Sequence, residues 1–142
     1  MNLKGNYIGE LTYGEDYGKL KGDKLTFEMT LDQKENSIFG TAKDISGTGA
    51  SDKQATIFGS IERSKISFVK QYDTDRRFNL FGKTTIKEYK NRKGPQIAYN
   101  GVINEIENSI EGDWVINAVF KFLWFIPIKF KNSGTWKMKK RH

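Results

Sequence analysis

The chain has 142 residues, of which 29% are charged and 37% are hydrophobic, and 24 Lys and Arg against 17 Asp and Glu give a net charge of +7. This length and composition are typical of a single globular domain, residues 1–142. The absence of cysteine excludes disulfides, thiolate nucleophiles and Cys-based zinc or iron–sulfur sites, and the only histidine is His142.

Eight segments alternate apolar and polar residues with the two-residue period of a β-strand. The predicted strands, in chain order, are 5–13, 24–34, 37–45, 54–62, 65–73, 96–106, 109–120 and 128–140. Short turn signals separate most of them, for example Gly22-Asp23 after the first strand and Arg63-Ser64 after the fourth. Between the fifth and sixth strands, KTTIKEYKN (83–91) is expected to form one short helix.

This pattern favours an all-β fold, an eight-stranded antiparallel up-and-down β-barrel, because closure removes the exposed edges of an open sheet. A β-sandwich is the alternative. Glycine recurs in the strands with apolar residues two positions away, as in YIGEL (7–11), IFGTA (38–42) and IEGDW (110–114). We expect these glycines to let the sheet bend and to make room for aromatic side chains on neighbouring strands.

The strand pattern resembles the calycin superfamily, which includes lipocalins, fatty-acid-binding proteins and avidin-like barrels. The resemblance extends over nearly the whole chain as a pattern and rests on few motifs. GNY (5–7) stands where lipocalins carry Gly-x-Trp, with Tyr7 in place of the tryptophan, and IFGTA (38–42) is similar to an avidin-type strand. The resemblance implies one small apolar ligand held inside the barrel.

Residues that share the parity of the strand glycines are expected to face the barrel interior, because successive side chains alternate between the two faces of a sheet. Nine of the inward positions are candidate ligand-binding residues: Tyr7, Phe27, Met29, Phe68, Lys70, Tyr72, Tyr99, Trp114 and Trp136. An eight-stranded barrel is wide enough either to be filled by side chains or to hold one small ligand. The sequence leaves both possibilities open.

Lys70 shares the parity of Phe68 and Tyr72, so its ammonium group is expected inside the barrel. A buried ammonium needs a partner, or it loses its proton. If the interior is a pocket, Lys70 could bind the carboxylate or phosphate of an amphipathic ligand together with Tyr7, Tyr72 or Tyr99. The alternative is that Lys70 lies near the barrel mouth and extends to water.

The sequence offers few groups for catalysis. Without a cysteine or an internal histidine, acid–base chemistry would fall to carboxylates, lysine or tyrosine, and most Asp and Glu lie in predicted turns or on outward positions. SGTG (46–49) lacks the Gly-Lys-Ser/Thr ending of a phosphate-binding loop, and no predicted helix follows it. We therefore expect a non-enzymatic protein with no catalytic residue, metal or cofactor.

The most apolar stretch is FKFLWFIPIKF (120–130). Its longest uncharged apolar run, 122–128, is far shorter than the roughly 20 residues that span a bilayer, so no transmembrane segment is expected. The centre of this stretch lacks polar alternation and comprises Leu123, Trp124, Phe125 and Ile126. We expect an apolar hairpin tip there, which folds over the barrel as a lid, forms a homodimer contact or dips into a membrane surface, with the lid favoured.

Positive charge is concentrated between Lys70 and Lys93, which hold eight Lys or Arg and three Asp or Glu. A basic loop (76–93) is typical of a surface that contacts anionic lipid or nucleic acid, or of a solvated surface without a partner. Few aromatic residues accompany it, so nucleic acid is not favoured. The first residues, MNLKGNYIGE, lack the pattern of a secretory signal, so we expect a cytoplasmic location.

Two functions follow from these features. The leading one is a non-enzymatic barrel that encloses a small hydrophobic or amphipathic ligand. The alternative is an interaction module whose apolar tip (122–127) and basic loop (76–93) contact an anionic membrane, a protein or nucleic acid. The sequence does not separate the two.

Overall fold

A computed structural model describes residues 2–73, 75–79, 85–89, 96–122 and 126–141. Within these residues the chain forms ten strands and one 3-10 helix, η1 (Glu15–Leu20). The strands are β1 (Gly5–Tyr13), β2 (Lys24–Lys34), β3 (Ser37–Gly47), β4 (Gln54–Glu62), β5 (Lys65–Tyr72), β6 (Asp75–Asn79), β7 (Thr85–Tyr89), β8 (Ile97–Asn104), β9 (Ser109–Phe122) and β10 (Ile126–Lys140).

Eight of the strands form a closed barrel in the order β1-β10-β9-β8-β5-β4-β3-β2, and each neighbouring pair is antiparallel. The predicted eight-stranded up-and-down barrel is therefore confirmed, and the β-sandwich alternative is wrong. This closed barrel is compatible with a calycin-like architecture. Strands β6 and β7 form a separate two-stranded sheet, inserted in the chain between β5 and β8.

The short helix predicted at 83–91 is wrong, because Thr85–Tyr89 is strand β7. It pairs with β6 in a hairpin register that runs from Asp75 opposite Tyr89 to Asn79 opposite Thr85. Threonine, isoleucine and tyrosine favour strands, and the cross-strand partner satisfies the backbone groups that a five-residue helix would leave largely unbonded.

The two ends of the barrel differ in their connections. At one end the strands are joined by short turns, in which Glu35, Arg63 and Asn108 adopt positive φ angles of 55°, 58° and 52°. At the other end lie the longer connections, including η1, which places Tyr17 and Leu20 in the core. The longer connections therefore supply most of the surface on which a barrel of this topology can carry a site.

The inward positions of all eight barrel strands contribute to one hydrophobic core. Glycines admit large rings to it, as the sequence predicts: a Cβ at Gly101 would lie 2.7 Å from Cζ2 of Trp136, and one at Gly134 would lie 2.7 Å from Nε1 of Trp114. Aromatic rings thus lie directly against the backbone of glycine-bearing strands, and this close approach fills the barrel.

Candidate functional site

Eight of the nine predicted interior residues are at most 3% exposed, and Tyr72 is partly buried against the same core. The prediction that these residues face inward is confirmed, and Lys70, at 2% exposed, lies inside the barrel rather than extending to water. Being inside does not by itself make them a binding site, so their contacts decide what they do.

The nine residues separate into groups. Phe68 and Tyr99 stack with ring centroids 4.7 Å apart, and Trp136 meets both rings edge-on. Trp114 packs instead against Tyr13 and Tyr17 of the η1 end, with centroids 5.9 and 5.8 Å away.

Tyr7 and Met29 lie in directly paired positions of β1 and β2. The Tyr7 hydroxyl donates a 2.7 Å hydrogen bond to the carbonyl of Leu3, near the short-turn end of the barrel. Tyr7 is therefore bonded to the chain that precedes β1, and in the structure it does not share the polar contacts made by Lys70.

The Lys70 ammonium lies among one carboxylate, one hydroxyl and three rings. Its Nζ atom is 3.8 Å from Oδ1 of Asp44 and makes a long, 3.4 Å hydrogen bond to the hydroxyl of Tyr99. It also lies 5.0 Å from the Tyr72 ring centroid, 5.7 Å from that of Tyr99 and 5.8 Å from that of Phe27. The chain itself thus supplies the anionic partner that this buried ammonium needs.

Asp44 is the polar residue that the sequence reasoning missed. Its carboxylate accepts hydrogen bonds of 3.0 Å from the Tyr72 hydroxyl and 2.9 Å from the backbone N–H of Ser51. Asp44 follows Gly40 and Ala42 at the two-residue spacing of β3, and that parity was the signal that could have placed it inside. We call Lys70, Asp44, Tyr72 and Tyr99 the polar cluster.

Burial raises the pKa values of several tyrosines, because the interior disfavours a charged phenolate. Desolvation raises the pKa of Tyr7 to about 12 and also raises that of Tyr99. It raises the pKa of Tyr72 as well, although Lys70 opposes this shift. These phenols are protonated at neutral pH, which fits the Tyr72 hydroxyl as a donor to Asp44 and disfavours any of them as a general base.

Side chains fill the described part of the lumen. Ile57 is 0% exposed and Phe27 and Tyr99 are 1% exposed, whereas a cavity large enough for a ligand would leave accessible surface on the residues of its wall. The sequence left a filled barrel and a ligand-holding barrel open. At the level of these residues the geometry is that of a packed core.

Strands β9 and β10 continue past the barrel. β9 pairs with β8 as far as Ile116, and β10 pairs with β1 from Gly134 onward. Beyond these points the two strands pair with each other from Asn117 opposite Lys131 to Phe122 opposite Ile126. We call this two-stranded extension, residues 117–122 and 126–131, the arm.

The register of the arm alternates two kinds of residue pair. Apolar residues pair with each other at Phe122 and Ile126, Phe120 and Ile128, and Ala118 and Phe130. Each of the pairs between them contains one lysine: Lys121 and Pro127, Val119 and Lys129, and Asn117 and Lys131. Apolar pairs and lysine-bearing pairs therefore alternate along the arm with the two-residue period of a strand.

The structure describes only parts of the predicted tip and loop. Leu123, Trp124 and Phe125 lie outside the described residues, and Ile126 begins β10. Of the basic loop 76–93, the described parts lie in the β6–β7 hairpin, where Arg76 stands opposite Glu88.

Within the described ranges, no group of three or more His, Asp or Glu is placed to hold a metal ion. No helix in the same ranges is long and apolar enough to cross a bilayer. A scan against protein-family models finds no match to this chain, and searches of curated proteins and of solved structures also find none.

Proposed function

We propose that this protein is a non-enzymatic interaction module that binds the surface of anionic membranes through the arm. The observation that carries the proposal is the register of β9 and β10, in which apolar pairs alternate with lysine-bearing pairs along the arm. Because successive pairs of a two-stranded sheet alternate between its faces, we infer an apolar face and a lysine-bearing face. An element with this division of residues suits the boundary between lipid headgroups and acyl chains, where one face meets hydrocarbon and the other meets phosphate.

The lysines supply the preference for anionic lipid. A cation near a negatively charged leaflet contributes about 1 kcal/mol, so Lys121, Lys129 and Lys131 together favour binding by about 3 kcal/mol. The net charge of +7 adds long-range attraction to the same surface. The cytoplasmic leaflet, which is the anionic one, is the surface we propose.

The size of the arm fits insertion into one leaflet. Each of its strands contributes six residues, 117–122 and 126–131, a length of about 20 Å at the usual rise of a β-strand. Membrane-spanning strands need about 9–11 residues. The arm is therefore proposed to lie in the interface and not to cross the bilayer.

A second candidate is a small hydrophobic or amphipathic ligand held under the arm, as the calycin-like pattern implies. The two-residue alternation of β9 favours this candidate. Ile116 packs against the barrel core, and Ala118 and Phe120 follow it at two-residue spacing. The apolar pairs of the arm thus continue the parity of the lumen-lining positions of β9. In this arrangement the arm acts as a lid above the packed core.

The test compares wild type with a variant carrying Phe120→Ser and Ile128→Ser, two paired residues of the apolar face. The control is Ile106→Ser, since Ile106 is 95% exposed and lies in the turn between β8 and β9. We expect wild type and control to float with phosphatidylserine-containing vesicles and the arm variant to stay in solution, with circular dichroism unchanged. No flotation of wild type, or equal flotation of all three proteins, would refute the proposal.

The same proteins distinguish the second candidate. If the arm is a lid, the arm variant releases a bound apolar fluorescent dye faster than the control while vesicle binding is absent from all three proteins. If the arm is a homodimer contact, the variant shifts from dimer to monomer in sedimentation.

A further inference from the structure

The outside of the barrel is divided into a charged part and an uncharged part. On the charged part, outward residues of β1, β2 and β10 form ion pairs, as Lys24 does with Glu10 at 2.9 Å, or carry unlike charges in paired positions, as do Glu10 and Lys137. A surface of this kind is usual for a chain with 29% charged residues.

The uncharged part extends over β3, β4, β5 and β8. Three adjacent rows of paired outward positions hold eleven residues: Ser37, Ser60, Ser67 and Asn100, then Phe39, Phe58, Val69 and Ala98, then Thr41, Thr56 and Gln71. None of the eleven is charged. The flanking rows contain charged residues, Lys43 on one side and Lys65, paired with Val102 and Glu62, on the other. We call these eleven residues the uncharged face.

Paired positions order this face into rows across the strands. The central row is apolar and runs from Phe39 to Phe58, Val69 and Ala98, each directly paired with the next. The row beside it contains only hydroxyl and amide residues and comprises Ser37, Ser60, Ser67 and Asn100. The apolar row is therefore continuous across four strands although its members are far apart in the sequence.

Two residues of the central row are open to solvent in the monomer, Phe39 at 46% exposed and Phe58 at 47% exposed, and Val69 and Ala98 are half-buried. Beyond the ends of the rows the pairs become charged, as with Glu62 opposite Lys65. An apolar, charge-free centre with a charged rim is the anatomy of a protein–protein interface.

We infer that the uncharged face binds the same face of a second copy of this chain, giving a two-fold symmetric dimer in which two sheets stack. In a two-fold contact, residues near the axis meet their own copies, so any charge there would face a like charge. Serine, threonine, asparagine and glutamine both donate and accept hydrogen bonds, and each can bond to its own copy. The composition of this face is what such a contact requires.

The net charge of the protein also favours a dimer that forms through the uncharged face. Two copies that each carry a net charge of +7 repel, and the repulsion is least where neither surface is charged. Phe39 and Phe58 then bury apolar area at the centre, as stacked sheets do in a sandwich. The eleven residues form the centre of the interface. An interface of standard size has about 20–30 residues on each side, so residues of the charged rim complete it.

The first test is sedimentation equilibrium of wild type, Phe58→Lys and Ile106→Lys over a dilution series. Both substitutions add one positive charge at an exposed apolar residue, but only Phe58 lies on the uncharged face. We expect wild type and Ile106→Lys to dimerise equally and Phe58→Lys to weaken the dimer by about 30-fold or more. A monomeric wild type, or equal association of all three proteins, would overturn the inference.

Cross-linking tests the same contact without a substitution that is designed to weaken the dimer. The chain has no cysteine, so Ser60→Cys places a unique thiol on the uncharged face and Thr135→Cys places one on β10 as a control. A short bismaleimide should join two copies of the Ser60→Cys protein and leave the Thr135→Cys protein monomeric. Equal yields from the two proteins would contradict a contact through this face.

Discussion

Lys70 and Asp44 form an ion pair inside the barrel, with Nζ of one 3.8 Å from Oδ1 of the other and both side chains at most 3% exposed. The two charged groups differ in their remaining contacts. Asp44 also accepts hydrogen bonds from Tyr72 and from the backbone of Ser51, whereas Lys70 has in addition a long bond to Tyr99 and three aromatic rings.

This inequality predicts an order of stabilities. Removing one partner of a buried ion pair costs about 3–5 kcal/mol, because the other charge stays buried without it. Asp44→Asn should lower the free energy of unfolding by an amount near the upper end of this range, because it leaves the Lys70 ammonium buried with the weaker set of contacts. Lys70→Met should lower it by an amount near the lower end. The double variant should be more stable than the sum of the two losses implies. Urea unfolding measures all three free energies, and strict additivity would mean that the pair is not coupled.

Alkaline pH should destabilise the fold through its tyrosines. The pKa of Tyr7 rises from 10.0 to about 12 on folding, and burial raises those of Tyr17, Tyr72 and Tyr99 as well. Below pH 10 both states keep these protons, and above it the unfolded chain loses them first, so stability falls as pH rises through about 12. Each unit of pKa difference corresponds to about 1.4 kcal/mol.

The check is denaturant unfolding as a function of pH, followed together with phenolate absorbance. Tyr7→Phe should reduce the slope of stability against pH above pH 10, because it removes one group whose pKa is raised. Phenolate absorbance that develops near the ordinary pKa while the fold stays intact would show that these hydroxyls are not buried.

Gly101→Ala should destabilise the barrel by steric conflict with Trp136. The added methyl group would lie 2.7 Å from the indole ring, whose Nε1 donates a 3.0 Å hydrogen bond to the carbonyl of Asp113. Moving the ring would lengthen that bond, and overpacking of this kind costs about 1–3 kcal/mol. Thermal unfolding of Gly101→Ala with and without Trp136→Leu measures the coupling. Equal losses in both backgrounds would assign the conflict to the neighbouring backbone, because the added methyl group would also lie 2.8 Å from the carbonyl oxygen of Glu111.

The arm lysines should control lipid preference and not affinity for uncharged lipid. Replacing Lys121, Lys129 and Lys131 with glutamine should lower affinity for anionic vesicles by more than about 100-fold, since each cation contributes about 1 kcal/mol. A control with the exposed residues Lys34, Lys53 and Lys65 changed to glutamine has the same net charge. Equal losses in both variants would assign binding to net charge and remove the arm from the contact.

Much of the fold could be predicted, because the two-residue alternation of apolar and polar residues identifies the strands directly. The observed strands from Gly5–Tyr13 to Ile126–Lys140 agree closely with the expected ones, and Lys70 lies inside as its parity predicts. Helix η1 was less visible, since a six-residue 3-10 helix with Gly18 at a φ of 57° has no long apolar period to detect. The sequence predicts a short helix over β7 and no strand over β6, because each of these strands is only five residues long.

The surface and the site were harder to predict, because both depend on register between distant strands. Asp44 meets Lys70 across 26 positions of chain, and no local pattern pairs them. Phe39 and Phe58 each occupy an outward position in an otherwise polar alternation, and only the β3–β4 register makes them neighbours. Whether the lumen is filled is likewise decided by packing in three dimensions and not by the inward sequence of any one strand.

Closure of the barrel through β1 and β10 has a consequence for folding. The pairing of Tyr7 with Lys140 joins strands separated by most of the chain, whereas the other barrel pairs form between strands that follow each other along it or flank the β6–β7 insertion. We expect closure to be the slow step, because loop-closure entropy opposes distant contacts. Until it occurs, β1 and β10 present unpaired edges that can recruit another chain. Dilution should therefore raise the yield of refolding by slowing association between chains, and early aggregates should be joined edge to edge.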